Sequence, residues 1–261
     1  MRRETFDLSE HNARIFFSGH LAEWYDGQSL CPAETMILLR HRDAFAGKKV
    51  LDLGVGAGRT TRFLLPLASS YTGVDLSPQM IARSRQIFPK ARLLEMDIRE
   101  LGALADETFD FVFAPWAVLD ALAPDDREKA LRRIAGLTAN GGAFVVSSHN
   151  RSAALSGKPP ALEWSRRPVR CLLNVGHFVI ARFNYLRMKH LREETPGYAL
   201  FNDMAHGWQG VFYYIDREAQ IAQLARHGFR VNEVYGEDGR MVGPGDDVSP
   251  DGCLHYVAVK E

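Results

Sequence analysis

The chain has 261 residues, 46% hydrophobic and 25% charged, with 32 Lys and Arg balanced by 32 Asp and Glu. That balance removes the overall basic field that draws proteins to nucleic acid or anionic membranes, and the composition is that of an ordinary globular protein. Three scattered cysteines, Cys31, Cys171 and Cys253, make neither a disulfide framework nor a metal site. The start is charged and no apolar run reaches spanning length. We therefore expect a cytoplasmic protein with no metal, no membrane contact and no DNA partner.

Residues 1–45 read as amphipathic helices, with Phe16, Phe17, Leu21, Trp24 and Tyr25 clustered and Pro32 opening a second helix. From Val50, short apolar runs alternate with helical periods. Strands are predicted at 49–53, 70–75, 91–96, 109–114 and 142–148. Helices are predicted at 59–67, 78–87 and 124–137. Continuous apolar strands alternating with helices imply a parallel sheet covered on both faces, whose ligands bind beyond the strands' carboxyl ends. A helix at 216–227 ending at Gly228 and strands at 229–235 and 254–259 close the chain. The Gly-, Asp- and Pro-rich link at 236–252 reads as an exposed, mobile loop.

The first strand runs into Asp52-Leu53-Gly54-Val55-Gly56-Ala57-Gly58-Arg59. Glycines there take backbone angles that other residues avoid and let a ligand approach the main chain beside a helix N-terminus. A dinucleotide fingerprint is G-x-G-x-x-G, and Arg59 stands where its third glycine would fall. The D-x-G-x-G-x-G pattern resembles the first motif of class I S-adenosylmethionine-dependent methyltransferases. Asp75 ends the second strand and suits ribose hydroxyls or a helix cap. Glu95-Met96-Asp97-Ile98 and Phe109 to Leu122, with Ala114 and Trp116 at the strand end, resemble the family's third and fourth motifs. Asn140-Gly141-Gly142 resembles the turn into its fifth strand. The segment from His20 to Asp26 resembles the family's pre-core segment, in which a tyrosine, here Tyr25, covers cofactor or acceptor; the alternative is that Trp24 and Tyr25 pack on the sheet.

The resemblance covers about 47–149 plus the C-terminal strands. It implies an α/β, Rossmann-like doubly wound sheet of seven strands, mostly parallel with an antiparallel C-terminal strand. N-terminal helices (1–46), a cofactor core (47–149), an inserted acceptor lid (150–215) and a C-terminal part (216–261) would form one domain. It further implies S-adenosyl-L-methionine as cofactor, held by Tyr25, Asp52, Gly54, Gly56, Gly58, Asp75, Leu76, Met80, Asp97, Ile98, Ala114 and Trp116.

The lid at 150–215 is far longer than an ordinary connection in such a unit. Its apolar spacing predicts one long helix at 169–192, followed by a hairpin at 198–203 and 211–215. Nine Lys and Arg against four acids give the lid +5, which fits a solvated helix face or an anionic acceptor. Asn202, Asp203, His206, Trp208 and Tyr213 cluster there. His206 is the first candidate for a general base, with Asp203 to orient it, or else a turn cap. His149, at the end of strand five, is the second. Tyr25, Trp116, Asn202, His206, Trp208 and Tyr213 are the expected acceptor contacts.

The expected reaction moves a methyl group to N or O of a small molecule, an anionic one on the sharper reading of the lid charge. The rivals are an RNA or protein methyltransferase using the basic lid, a non-catalytic binder of the same cofactor, and an NAD-dependent oxidoreductase. A homodimer is compatible with the sequence.

Overall fold

The computed structural model describes residues 6–17, 27–202, 204 and 206–261. Tyr25 and Asp203 lie outside the described residues. Helix α1 (Leu8–Ile15) begins where the Asp7 carboxylate accepts the Glu10 backbone N–H at 2.9 Å. Helix α2 (Pro32–Arg40) opens with proline, whose missing N–H does no harm in a first turn. Its first turn is locked reciprocally: Cys31 Sγ accepts the Glu34 N–H, and the Glu34 carboxylate accepts the Cys31 N–H at 2.9 Å. A short helix α3 (Arg42–Phe45) leads into the sheet.

Strands β1 (Lys49–Leu53), β2 (Ser70–Asp75), β3 (Arg92–Glu95), β4 (Phe109–Ala114) and β5 (Thr138–Asn150) run parallel in the order β3-β2-β1-β4-β5. Val50, Phe111, Phe113 and Val145 pack on one face with Ile37, Leu64 and Ile81. Leu51, Leu53, Val112 and Val146 pack on the other with Leu131 and Ile134. Alternate side chains of each strand thus feed two cores, which is why these strands read as unbroken apolar runs. Helix α4 (Thr61–Leu64) is shorter than the predicted 59–67. Gly54, Gly56 and Gly58 all hold positive φ, so the turn delays the helix, and Pro66 supplies no N–H to extend it. Helices α5 (Pro78–Ile87) and α6 (Pro124–Leu137) match expectation, and Ser77 Oγ caps α5 by accepting the Met80 N–H at 3.4 Å.

Past β5 the chain forms the long helix α7 (Pro168–Met188), then β6 (Glu193–Glu194), β7 (Ala199–Asn202) and β8 (Val211–Ile215). The predicted hairpin is present, with β7 antiparallel to β8. It does not stand apart from the sheet, however. His149 and Asn150 at the tip of β5 pair with Tyr214 and Ile215 of β8, so the insertion extends the sheet to ten strands. Helix α8 (Arg217–Arg226) ends at Gly228, at φ 78°. Strands β9 (Phe229–Tyr235) and β10 (Cys253–Lys260) complete the seven-stranded core, with β10 antiparallel between β5 and β9.

The link at 236–252 corrects the expectation of a loose loop. Arg240 grips Asp251 through both carboxylate oxygens at 2.6 and 2.9 Å. The Val242 N–H bonds back to Val234 O at 2.8 Å. Asn150 Nδ2 donates to Val248 O and Asp251 O at 2.7 and 3.0 Å.

Candidate active site

A cavity opens at the carboxyl ends of the parallel strands, between the glycine turn, α1 and the β7–β8 hairpin. The turn after β1 forms its floor. Gly54 and Gly56 line the cavity at φ 69° and 54°. A Cβ on Gly54 would meet Val118 Cγ2 at 2.4 Å, whereas one on Gly56 would meet nothing within 4 Å. The first glycine is therefore demanded by packing; the second holds a left-handed backbone angle, and its open Cβ position leaves the main chain accessible from the cavity.

Asp75, at the end of β2, also lines the cavity. Its Oδ2 accepts the Gly56 N–H and its Oδ1 the Ser77 N–H, both at 2.8 Å. Burial pushes this carboxyl above its usual range, against the pull of those two N–H groups. Each oxygen keeps accepting capacity for a ligand donor. Leu76, Met80, Asp97 and Ile98 continue the wall. Asp97 is itself held by Arg99, whose N and Nε both donate at 2.8 Å.

Beyond β4 the wall is Pro115 to Val118. Trp116 and Ala117 both sit at φ 51°, a left-handed conformation that side chains bearing a Cβ disfavour. The surroundings fix it. The Ala117 N–H donates to Ser147 Oγ at 2.7 Å, and the Arg59 guanidinium lies 4.1 Å from the centre of the Trp116 ring. Arg59 is in turn clamped by buried Glu34 through both guanidinium nitrogens. Helix α2, the glycine turn and the post-β4 turn are thereby tied into one unit.

Opposite this unit, Phe16, Phe17, Phe212, His206 and His149 line the cavity. His206 sits between Phe16 and Phe212, with ring centroids 5.0 and 5.1 Å away. His149 Nδ1 lies 2.9 Å from Asp120 Oδ2, and that oxygen also accepts the His149 backbone N–H at 2.6 Å. Tyr214 stacks on the His149 ring at 4.8 Å. Asp120, fully buried, is paired through its other oxygen with fully buried Arg127. Arg127 donates further to Ser148 Oγ at 2.8 Å and to the Gln220 and Gln223 side-chain oxygens at 2.7 and 3.1 Å.

Of the residues expected from the sequence, Gly54, Gly56, Asp75, Leu76, Met80, Asp97, Ile98, Trp116, His149 and His206 meet at this cavity. Others do not, and each has a physical reason. Asp52 turns into the layer beneath the turn, where its Oδ2 accepts Thr60 Oγ1 at 2.5 Å and Tyr71 OH at 2.7 Å; burial raises its carboxyl to about 6. Gly58 serves packing, since a Cβ there would strike Phe88 at 2.5 Å. Ala114 is fully buried within β4, one residue short of the wall. Tyr213 points away from the cavity to stack on Tyr198 at 4.9 Å and face Arg127, leaving its strand neighbour Phe212 on the cavity side. Asn202 is buried on β7 with both amide atoms unbonded, away from the lining. Trp208 donates its Nε1 to Lys158 O at 3.4 Å, also away from it.

Arg59, Asp120 and Ser147 were missed as supports. The Asp120–Arg127 pair joins the turn after β4 to α6 across an extended break at Leu122 and Ala123, so no helical periodicity in the sequence announces it. Neither Arg166, Arg167 nor Arg170 lines the cavity, so the lid cluster does not face the site.

Comparison with known proteins places this geometry. Residues 50–142 match the model of a methyltransferase domain. The malonyl-[acyl-carrier protein] O-methyltransferase of Pectobacterium atrosepticum is 32% identical over 137 residues, 52% of this chain and 53% of the relative. The trans-aconitate 2-methyltransferase of an Enterobacter species is 40% identical over 68 residues, 25% of this chain and 26% of the relative. The chain thus spans about half the length of the first and a quarter of the second. Among solved structures, an S-adenosylmethionine-dependent methyltransferase from Clostridium acetobutylicum aligns with TM-score 0.60 and 14% identity, over 88% of this chain and 91% of that one. An amino pentose methyltransferase from Micromonospora echinaspora, solved with S-adenosylmethionine bound, aligns over the whole of both chains with TM-score 0.56 and 19% identity. At such identities these structures speak for the fold.

Proposed function

We propose that the chain, whose residues 50–142 match the model of a methyltransferase domain, is a class I S-adenosylmethionine-dependent methyltransferase that transfers a methyl group from that cofactor to N or O of a small-molecule acceptor.

The observation that carries the reading is the junction of Asp75 with the glycine turn. Asp75 is fixed by two backbone N–H groups and faces the cavity over a glycine whose Cβ position is open. That arrangement fits a nucleoside: a carboxylate for ribose hydroxyls beside a main chain that a ligand can approach closely. Leu76, Met80, Asp97 and Ile98 supply the adenine end, and Trp116 and Ala117 border the methyl end. The bound cofactor brings an already activated methyl on its sulfonium, and the chain's own task is to hold the acceptor atom in line about 3 Å away.

Phe16, Phe17, Trp116 and Phe212 give the acceptor side an apolar, aromatic wall. It suits an acceptor with a flat or hydrophobic body and one polar group. His149 and His206 are the polar groups set in that wall. His149 is the better placed base, because the Asp120 carboxylate 2.9 Å from Nδ1 would stabilise the positive charge the ring gains on taking a proton. An acceptor hydroxyl would give its proton to the His149 ring as its oxygen takes the methyl and the methyl–sulfur bond breaks, leaving S-adenosylhomocysteine.

Calorimetric titration tests the cofactor class. S-adenosylhomocysteine should bind with micromolar affinity and NADH should not; the reverse would overturn the proposal. Labelled methyl donor then reports acceptors, with aromatic and amphiphilic hydroxyl and amine compounds screened first. With an acceptor in hand, His149→Ala should lower turnover on the order of a hundredfold, and S-adenosylhomocysteine affinity should hardly move. His206→Ala should act mainly on acceptor KM. Unchanged turnover in His149→Ala would remove it as base.

A further inference from the structure

Helix α7 presents an apolar face that nothing among the described residues covers. Its inner side, Ala181, Asn184, Tyr185 and Met188, is buried. On the outer side Val169, Leu172, Val179, Ile180, Phe183 and Leu186 are each more than half exposed. At ~100° per residue these six fall within an arc of about 120° opposite the buried side, along a helix roughly 32 Å long. Trp164, just before the helix, is 79% exposed. A contiguous apolar surface of this kind marks a contact.

The charges around it identify the contact. From Trp164 to Arg192 the sequence holds seven Lys and Arg and neither Asp nor Glu. Arg166, Arg167 and Arg170 stand at the helix N-terminal end, with Arg182, Arg187 and Lys189 along and beyond it. The whole chain is neutral, so this surplus is concentrated on one element. The apolar stripe repeats at the spacing that a helix of a second copy would also fit. A second copy, however, would bring the same six exposed cations against the first, Arg192 being turned inward to Tyr185 OH and Gly157 O. A bilayer with anionic headgroups brings the opposite charge and an apolar layer beneath it.

We propose that α7 is an interfacial anchor: it lies in the surface of an anionic membrane, with its Leu, Val, Ile and Phe side chains below the headgroups and its cations among them. Long Arg stems let the guanidinium reach headgroup level while their methylenes stay in the apolar layer. This is contact at the surface and not a span; among the described residues no helix is long and apolar enough to cross a membrane. The anchor also reaches the site. Asn184 Nδ2, on the inner side of α7, donates to Gly207 O at 3.0 Å, next to cavity-lining His206.

The test is flotation of the full-length protein with vesicles of phosphatidylcholine alone and of phosphatidylcholine with one third phosphatidylglycerol. The protein should float only with the anionic vesicles and be released by high salt. Arg166→Gln/Arg167→Gln/Arg170→Gln should weaken partition roughly a hundredfold, as expected for three headgroup-level charges. Leu172→Gln/Phe183→Gln should weaken it on the order of tenfold or more. Both variants alter exposed side chains, so thermal midpoint and S-adenosylhomocysteine affinity should stay as in the parent; this separates a failed anchor from a failed methyl-transfer reading. The proposal is overturned by no flotation, by equal flotation with neutral vesicles, or by variants that float like the parent. A stable dimer in light scattering that Leu172→Gln/Phe183→Gln dissociates, without flotation, would assign the face to a second copy instead.

Discussion

Gly56→Trp is expected to abolish S-adenosylhomocysteine binding, raising Kd by more than roughly a hundredfold, or about 2.7 kcal/mol. Position 56 combines three features that make it decisive. It lines the cavity, a Cβ there meets no protein atom, and its N–H holds the Asp75 carboxylate. An indole at this point has room to extend only into the space that the nucleoside would fill. The backbone angle, φ 54°, costs a non-glycine residue about 1–2 kcal/mol, so a drop of a few degrees in thermal midpoint should accompany the lost binding. A variant that still binds S-adenosylhomocysteine with the parent's Kd would dissociate the glycine turn from the cofactor. Comparing Gly54→Ala sharpens the reading. There the added methyl strikes Val118, so that variant should lose stability first and affinity second.

Arg127→Ala should destabilise the fold by about 3–5 kcal/mol, because it leaves the Asp120 carboxylate buried without its counter-charge. For a chain of this size that is a fall of about 10 °C or more in thermal midpoint. Arg127 is fully buried and joins five groups: Asp120, Ser148, Gln220, Gln223 and the Tyr213 ring at 4.6 Å. The network joins the turn before α6, the end of β5, helix α8 and strand β8. It also sets Asp120 against His149. Arg127→Ala should therefore reduce turnover as well as stability while sparing S-adenosylhomocysteine affinity. The double change Asp120→Asn/Arg127→Met should recover part of the midpoint, since it removes both charges together, but not the turnover. A double variant as unstable as the single one would show that packing volume, not the buried charge, dominates here.

How much of this was readable in the sequence follows from what sets each position. The strand ends were legible, because unbroken apolar runs punctuated by glycine and Ser-Pro signals fix where β1 and β2 stop; Asp75 follows from that alone. Asp52 was legible as a strand-end residue but misread in direction. Leu51 and Leu53 pack on one face and Val50 on the other, so alternation sends Asp52 into the layer with Tyr71 and not out of the strand tip. Tyr213 and Tyr214 had to face opposite ways, but which side of β8 turns to the cavity depends on the register of β8 on β5, a long-range pairing that no local pattern records. The α7 periodicity was plain in sequence, but periodicity alone cannot say which side of a helix the rest of the chain covers. The clamp of Arg59 by Glu34 joins residues 25 apart through a buried pair, and only the fold brings them together.

His149 occupies a junction. It pairs across one ladder with Cys253 of β10 and across the next with Tyr214 of β8. Among the described residues, the insertion's strands join the core sheet's ladder through this residue and Asn150. In engineering terms the seam is two rungs long. The glycine turn, Asp75 and the His149–Asp120 pair lie on the side of such a seam that one would keep. Residues 151–213, with His206, Phe212 and the α7 face, lie on the side one would exchange. On the proposed roles, acceptor choice and address could then be rewritten together as one cassette, leaving the proposed cofactor half and proton acceptor in place.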